Sequence, residues 1–170
     1  IGLLLKRRNL ALEPLIHGGE STTIYRSGTP TVALASSLAL ALELAVEQLP
    51  QHRDAVRKAN AFLRAELSRY PKVRINSPEN AIPQILNLSV QDVKGTVFQR
   101  ALDEKGVCVS VKSACSSDGM PSRAVFAVSR DRRNALSSWR ISLSHLTTEE
   151  DLRGFLAAFD ACYRELTETH

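Results

Sequence analysis

At Pro71 the chain changes period. Upstream, apolar residues recur at helical spacing; downstream they alternate. Residues 31–49 are dominated by Ala and Leu, and their apolar positions wrap most of the way round, which predicts a largely buried helix. Pro50 is expected to break it. Residues 51–70 read as a second helix or a kinked continuation. Val56, Ala59, Leu63 and Leu67 form one stripe with Phe62 beside it, and Arg53, Arg57, Lys58, Arg64 and Arg69 cover the other side.

After Pro71, residues 72–76 read as a short strand with Val73 and Ile75 inward. Ser77-Pro78-Glu79-Asn80 is a turn, and residues 82–90 form a strand. Residues 95–105 form a helix with Val97, Phe98, Ala101 and Leu102 on its apolar side, closed by Gly106. Residues 107–111 are a strand, 122–128 a helical turn, and 138–143 a strand. Thr147-Thr148-Glu149-Glu150 reads as a capping box with Thr147 at the cap and Glu150 three on. In the helix that follows, Leu152, Phe155, Leu156, Phe159, Cys162, Tyr163 and Leu166 share one face, so Cys162 belongs to the core. The order β-β-α-β-loop-β-α suits a small sheet with helices on one face, an α+β layer.

The N-terminal part is less regular. Residues 1–8 read as a strand already under way, without Met or a preceding turn, as if cut from something longer. Residues 12–16 suit a second extended piece, with Pro14 denying it an interior ladder bond. The loop from Ser21 to Pro30 is dense in hydroxyls around Arg26. Such a loop either cradles a phosphate or carboxylate, with Gly28 letting the backbone approach, or is a polar connection capping the next helix.

Composition excludes several classes of function. The 170 residues are 44% hydrophobic and 24% charged, enough for a packed core in one domain or a domain plus an appendage. No apolar run reaches transmembrane length; the nearest, 32–49, carries Glu43 and Glu47. The net charge is +4, and the arginines are scattered rather than gathered with aromatics, so direct nucleic-acid binding is not expected. A docking surface for an acidic partner and a solvated helical face both fit that charge. The three cysteines include no CxxC, and His17, His52, His145 and His170 are far apart in sequence, which predicts neither a metal site nor a disulfide framework. A reduced, cytoplasmic setting follows.

The cysteines differ in kind. Cys108 alternates with valines and reads as a packed small hydrophobe. Cys115 lies in Ser113-Ala114-Cys115-Ser116-Ser117-Asp118-Gly119, whose small polar residues leave it mobile and reachable, with Lys112 placed to lower its pKa. It is either a nucleophile or a cysteine that happens to stand in a surface loop.

Three stretches together carry a resemblance. His17-Gly18-Gly19 with Arg26-Ser27-Gly28-Thr29, then Ser113-Ala114-Cys115-Ser116-Ser117, then Trp139-Arg140-Ile141-Ser142-Leu143-Ser144 with Thr147-Thr148-Glu149-Glu150, resemble the second half of a NifS-like, group I cysteine desulfurase of the class V aminotransferase superfamily. The resemblance implies the C-terminal small domain (71–170) of a pyridoxal phosphate (PLP)-dependent transferase of fold type I, an α/β enzyme. It adds an edge of the PLP-binding large domain (1–30) and connecting helices (31–70). It implies that PLP serves as electron sink while L-cysteine becomes L-alanine. Cys115 matches the cysteine that takes the sulfur as a persulfide. Arg140 matches the arginine that grips the substrate α-carboxylate. Thr29 matches a threonine bonding the PLP phosphate of the neighbouring subunit in a homodimer, with Arg26 and Ser27 shaping that loop. Sulfur acceptors for iron–sulfur assembly or tRNA thiolation are implied as partners. The Schiff-base lysine of the family lies upstream of the segment matching 1–8, and Lys6 is on the wrong side of the motif to replace it, so the chain alone is expected to be inactive. The wording departs from the family at 20–25, at Pro30-Thr31 and at Met120-Pro121-Ser122-Arg123. A non-catalytic module of the same fold, and a lyase acting on selenocysteine or cystine, are the alternatives.

Overall fold

The computed structural model describes residues 1–19, 23–111 and 120–168. They divide into two compact units, 1–49 and 50–170. In the first, no described residue is buried. The strands expected at 1–8 and 12–16 do not form: the backbone there turns, with Leu10 N–H donating to the Arg7 carbonyl at 3.0 Å, and gains no ladder partner. Lys6 Nζ donates to the carbonyls of Arg7, Arg8 and Leu10 and lies 4.8 Å from the centre of the Tyr25 ring.

Helix α1 runs Val32–Leu67, and the unit boundary falls inside it. Pro50 does not end it, so the continuation is the reading that holds. The expectation of burial fails over 32–49, where Leu34, Leu40, Leu42, Leu44 and Leu49 are all exposed. The transmembrane expectation changes too: α1 contains an 18-residue stretch that is, by length and composition alone, apolar enough to cross a membrane, and none of it is buried. Two glutamates are too few to exclude it on that measure.

The second unit holds the core. Its sheet is antiparallel in the order β1-β2-β3: Val73–Ile75, Ile85–Val90 and Ser138–Ser142. Alternation sorts the side chains. Leu86, Leu88 and Val90 of β2, and Trp139 and Ile141 of β3, lie on one face and join the core. That core also takes Val56, Leu63 and Leu67 from α1, Phe98 and Leu102 from α2 (Gly95–Asp103), and Phe155, Phe159 and Cys162 from α5 (Glu149–Thr167). The predicted α1 stripe and α5 face are therefore the buried ones. Phe98 stacks on Trp139 with centroids 5.2 Å apart. The Trp139 indole N–H is buried without an acceptor, a cost of about 1–3 kcal/mol. Burying roughly 200 Å² of its ring contributes about 5 kcal/mol and wins.

Polar ties fix the edges. Arg64, expected to be solvated, donates from Nε to Asn60 Oδ1 at 2.7 Å and from Nη2 to the Ser77 carbonyl at 3.0 Å, while Asn60 holds the Pro83 carbonyl at 2.9 Å. Gly106, at φ 78°, ends α2 as expected, with Val107 N–H returning to the Leu102 carbonyl at 2.9 Å. Residues 107–111 form only one bridge, Ser110 to Arg140, not a full strand. Two short helices follow: α3 (Arg123–Ser129), capped by Ser122, and α4 (Arg132–Ser137), capped by Asp131 and not anticipated. The α5 capping box is one residue later than read. Thr148 caps and Asp151 answers, because the Thr147 hydroxyl accepts instead from Ser144 N–H at 3.1 Å.

Candidate functional site

The opposite face of the sheet is polar. Asn87 pairs across the strands with Arg140, and Ser89 with both Ser138 and Arg74. These residues cannot join the apolar layer, because period-2 alternation points them away from it. Over Asn87 and Arg140 lies a cleft of about 780 Å³, walled by Arg74, Ser77, Val111 and Arg123 among others.

Arg140 is held firmly by its backbone. Its N–H donates to the Ser110 carbonyl at 2.7 Å and its carbonyl accepts from Ser110 N–H at 3.1 Å, while β2 flanks it on the other side. Its side chain has no acidic partner among the described residues, and its Nε is buried with no hydrogen bond. An unpaired buried guanidinium donor is unfavourable unless an anion meets it. The planar fork suits a carboxylate. Unlike Arg140, the cleft arginine Arg74 does ion-pair, reaching Asp131 at 3.4 Å with both partners about half exposed, so that pair contributes little.

Beside Arg140 runs a chain of amides. Asn76 Nδ2 donates to Asn87 Oδ1 at 2.9 Å and to Ser89 Oγ at 2.8 Å. Asn134 Nδ2 donates to Asn76 Oδ1 at 2.8 Å, and Ser89 Oγ donates to the Asn134 carbonyl at 3.0 Å.

Cys115 and Lys112 lie outside the described residues. Val111 before them and Ser122 after them both line the cleft, so the chain departs from it and returns to it. The other cysteines are placed. Cys108, expected to be packed, is exposed, with Sγ 4.0 Å from Asp103 Oδ1, because one bridge does not make a two-sided strand. Cys162 is fully buried as expected, and burial pushes its thiol pKa up, which keeps it protonated and inert. His52 and His145, far apart in sequence, stack with centroids 3.6 Å apart, yet no group of three metal-ligating residues occurs among the described residues.

Arg26, Ser27 and Thr29 belong to the first unit and Arg140 to the second. Ser27 donates both its N–H and its hydroxyl to the Ile16 carbonyl at 3.3 Å. A Cβ on Gly18 would stand 2.8 Å from Ser27 Oγ, so the His-Gly-Gly and Arg-Ser-Gly-Thr pieces of the motif meet, and glycine is required where they do. Arg26 and Thr29 are exposed and make no hydrogen bond or ion pair within the described residues, and Gly28 has φ 100°. Free hydroxyl and guanidinium donors beside an open glycine fit a phosphate group. Glu20, Ser21 and Thr22 lie outside the described residues.

Of the cleft-lining polar residues, the sequence reading singled out Arg140 and did not single out Asn87, Arg74 or Arg123. The signal for Asn87 was available: Leu86-Asn87-Leu88-Ser89 alternates as Trp139-Arg140-Ile141-Ser142 does, which puts both polar sets on one sheet face.

Residues 1–155 match the aminotransferase class V family. The chain belongs to that family. It is 32% identical over 169 residues to cysteine desulfurase IscS of Dictyoglomus turgidum, covering 98% of this chain and 43% of that protein. Among solved structures, a NifS-like protein from Rickettsia africae superposes with a TM-score of 0.76 at 28% identity, over 91% of this chain and 41% of that one. Another NifS-like protein gives 0.79 at 30%, over 94% and 41%. The chain thus spans less than half the length of these relatives. The expected fold class, that of the PLP-dependent fold type I enzymes, holds for this class V chain. The match also runs through the apolar half of α1, which is therefore part of that enzyme fold.

Proposed function

We propose that this chain is the C-terminal portion of a PLP-dependent cysteine desulfurase. The observation that carries the reading is the Arg140 guanidinium, unpaired within the described residues on the floor of a cleft that the Cys115 segment leaves from and returns to. Arg140 binds the α-carboxylate of L-cysteine. Cys115 stands four residues beyond Val111 in the sequence, and Val111 lines the cleft. The Cys115 thiolate takes the substrate sulfur: the S–S bond forms as the substrate C–S bond breaks, the C–S pair passes to the β-carbon, a proton equivalent to that of the substrate thiol joins it there, and L-alanine leaves with the persulfide anion on Cys115. Lys112 favours the thiolate.

PLP, when bound, supplies the electron sink for that cleavage. Arg26, Ser27 and Thr29 would hold its phosphate, across a homodimer interface. Residues 1–30 are the edge of the PLP-binding domain, 31–70 connect, and 71–170 form the small domain. The rest of that enzyme covers the leucines exposed in the first unit. Delivery of the persulfide sulfur to an iron–sulfur scaffold or a tRNA-thiolation enzyme in the cytoplasm follows from the same reading.

The test is Arg140→Ala and Arg140→Lys in the intact enzyme. Losing a hydrogen-bonded charge partner costs about 2–3 kcal/mol, so kcat/KM for L-cysteine is expected to fall by roughly 30- to 150-fold in the alanine variant. Lysine restores part of it, as a point charge without the fork. Unchanged kinetics in both variants contradict the reading.

A further inference from the structure

We infer that Asn87 is a second substrate-binding residue, whose amide N–H groups share the carboxylate with Arg140; this rests on the Arg140 reading above. The hydrogen-bond chain decides which way the Asn87 amide faces. Ser89 Oγ gives its one proton to the Asn134 carbonyl, so toward Asn76 it can only accept. The Asn76 atom beside it is therefore the nitrogen. Asn76 Oδ1 in turn accepts from Asn134 Nδ2. The remaining N–H of Asn76 reaches Asn87, and the Asn87 atom that receives it must be the oxygen. Asn87 Nδ2 is left over, with two N–H groups and no partner among the described residues.

Asn87 is the direct cross-strand partner of Arg140, and both line the same cleft. Opposed side chains on one sheet face stand about 4.5–5.5 Å apart at Cβ. That is within reach of a single carboxylate. The Asn134–Asn76–Ser89 chain, with Asn134 and Ser89 buried and Asn76 half-buried, fixes the amide before substrate arrives, which lowers the ordering cost of binding. The result is a carboxylate seat built from a guanidinium fork and a neutral amide.

The test uses Asn87→Asp and Asn87→Ala in the intact, cofactor-loaded enzyme. Alanine removes the two donors without adding charge and carries the test; aspartate keeps the oxygen that accepts from Asn76 but sets a carboxylate opposite Arg140, which pairs with it and excludes a second carboxylate. Readouts are KM for L-cysteine and the inhibition constants of L-alanine and of ethylamine, which lacks the carboxylate. Expected are a rise of about tenfold or more for L-cysteine and L-alanine in the aspartate variant, a smaller rise in the alanine variant, and no change for ethylamine. If Arg140→Ala weakens L-alanine and Asn87→Ala does not, the inference about Asn87 is wrong while the Arg140 reading stands. If Arg140→Ala leaves L-alanine unaffected, the Arg140 reading falls and this inference with it. Equal weakening of L-alanine and ethylamine by Asn87→Ala also overturns it, since that marks a structural role.

Discussion

A residue's neighbours decide its chemistry here, and Asp151 shows this in measurable form. Thr148 N–H and the Thr148 hydroxyl both donate to its Oδ2 at 2.8 Å. The backbone bond first, and the hydroxyl second, hold the carboxyl below its ordinary value of 3.8. The unfolded chain therefore binds the proton more readily than the folded one. The stabilisation is full above the ordinary carboxylate range and is lost as pH falls through it toward the lowered folded value. Thermal melting from pH 7 to pH 3 is expected to show a steeper loss in the parent than in Asp151→Asn. Identical pH slopes contradict the assignment. Asp151 was legible only to within one residue, because two overlapping pairs, Thr147 with Glu150 and Thr148 with Asp151, satisfy the same capping pattern and backbone geometry selects between them.

Elements were legible where a strong period meets a long-range partner. The α5 face and the α1 stripe both read correctly, since Leu63, Phe155 and Phe159 have a shared core to enter. Residues 1–8 carry the same apolar signal and form no strand, for a strand is defined by a neighbour that local sequence does not encode. The short α4 falls in the stretch left unassigned between the helical turn at 122–128 and the strand at 138–143, and only the Asp131 cap, accepting from Asn134 N–H at 3.0 Å, marks its start. Close packing of α2 on β3 gives an element-scale prediction. A Cβ on Gly95 would lie 2.5 Å from the Ser138 carbonyl oxygen, which is backbone and cannot step aside cheaply. Gly95→Ala is expected to destabilise by about 1–3 kcal/mol in urea unfolding, despite alanine's better helix propensity. No loss would mean that α2 and β3 are further apart than described.

On the scale of the whole molecule, the two units differ in kind. The second has its own core, whereas the first leaves Leu5 86% and Leu15 97% exposed, so its order does not come from burial within itself. Arg140 enters the sequence reading through the family resemblance, and the structure puts it on β3 in the self-contained unit, whereas Arg26, Ser27 and Thr29 lie in the other. The chain on its own is expected to leave added PLP with the visible spectrum of the free cofactor and to release no sulfide from L-cysteine. A protein-bound PLP absorbance surviving desalting would contradict that.

All of this converges on whether one thiol receives the sulfur. Sulfide release from L-cysteine, in the presence of a reductant, should be compared between the intact enzyme and its Cys115→Ser variant, with the Cys115 peptide of the parent weighed after substrate. The account predicts an extra sulfur atom on that peptide and a variant reduced to background. Undiminished release by the variant, with no added sulfur on the parent peptide, would contradict it.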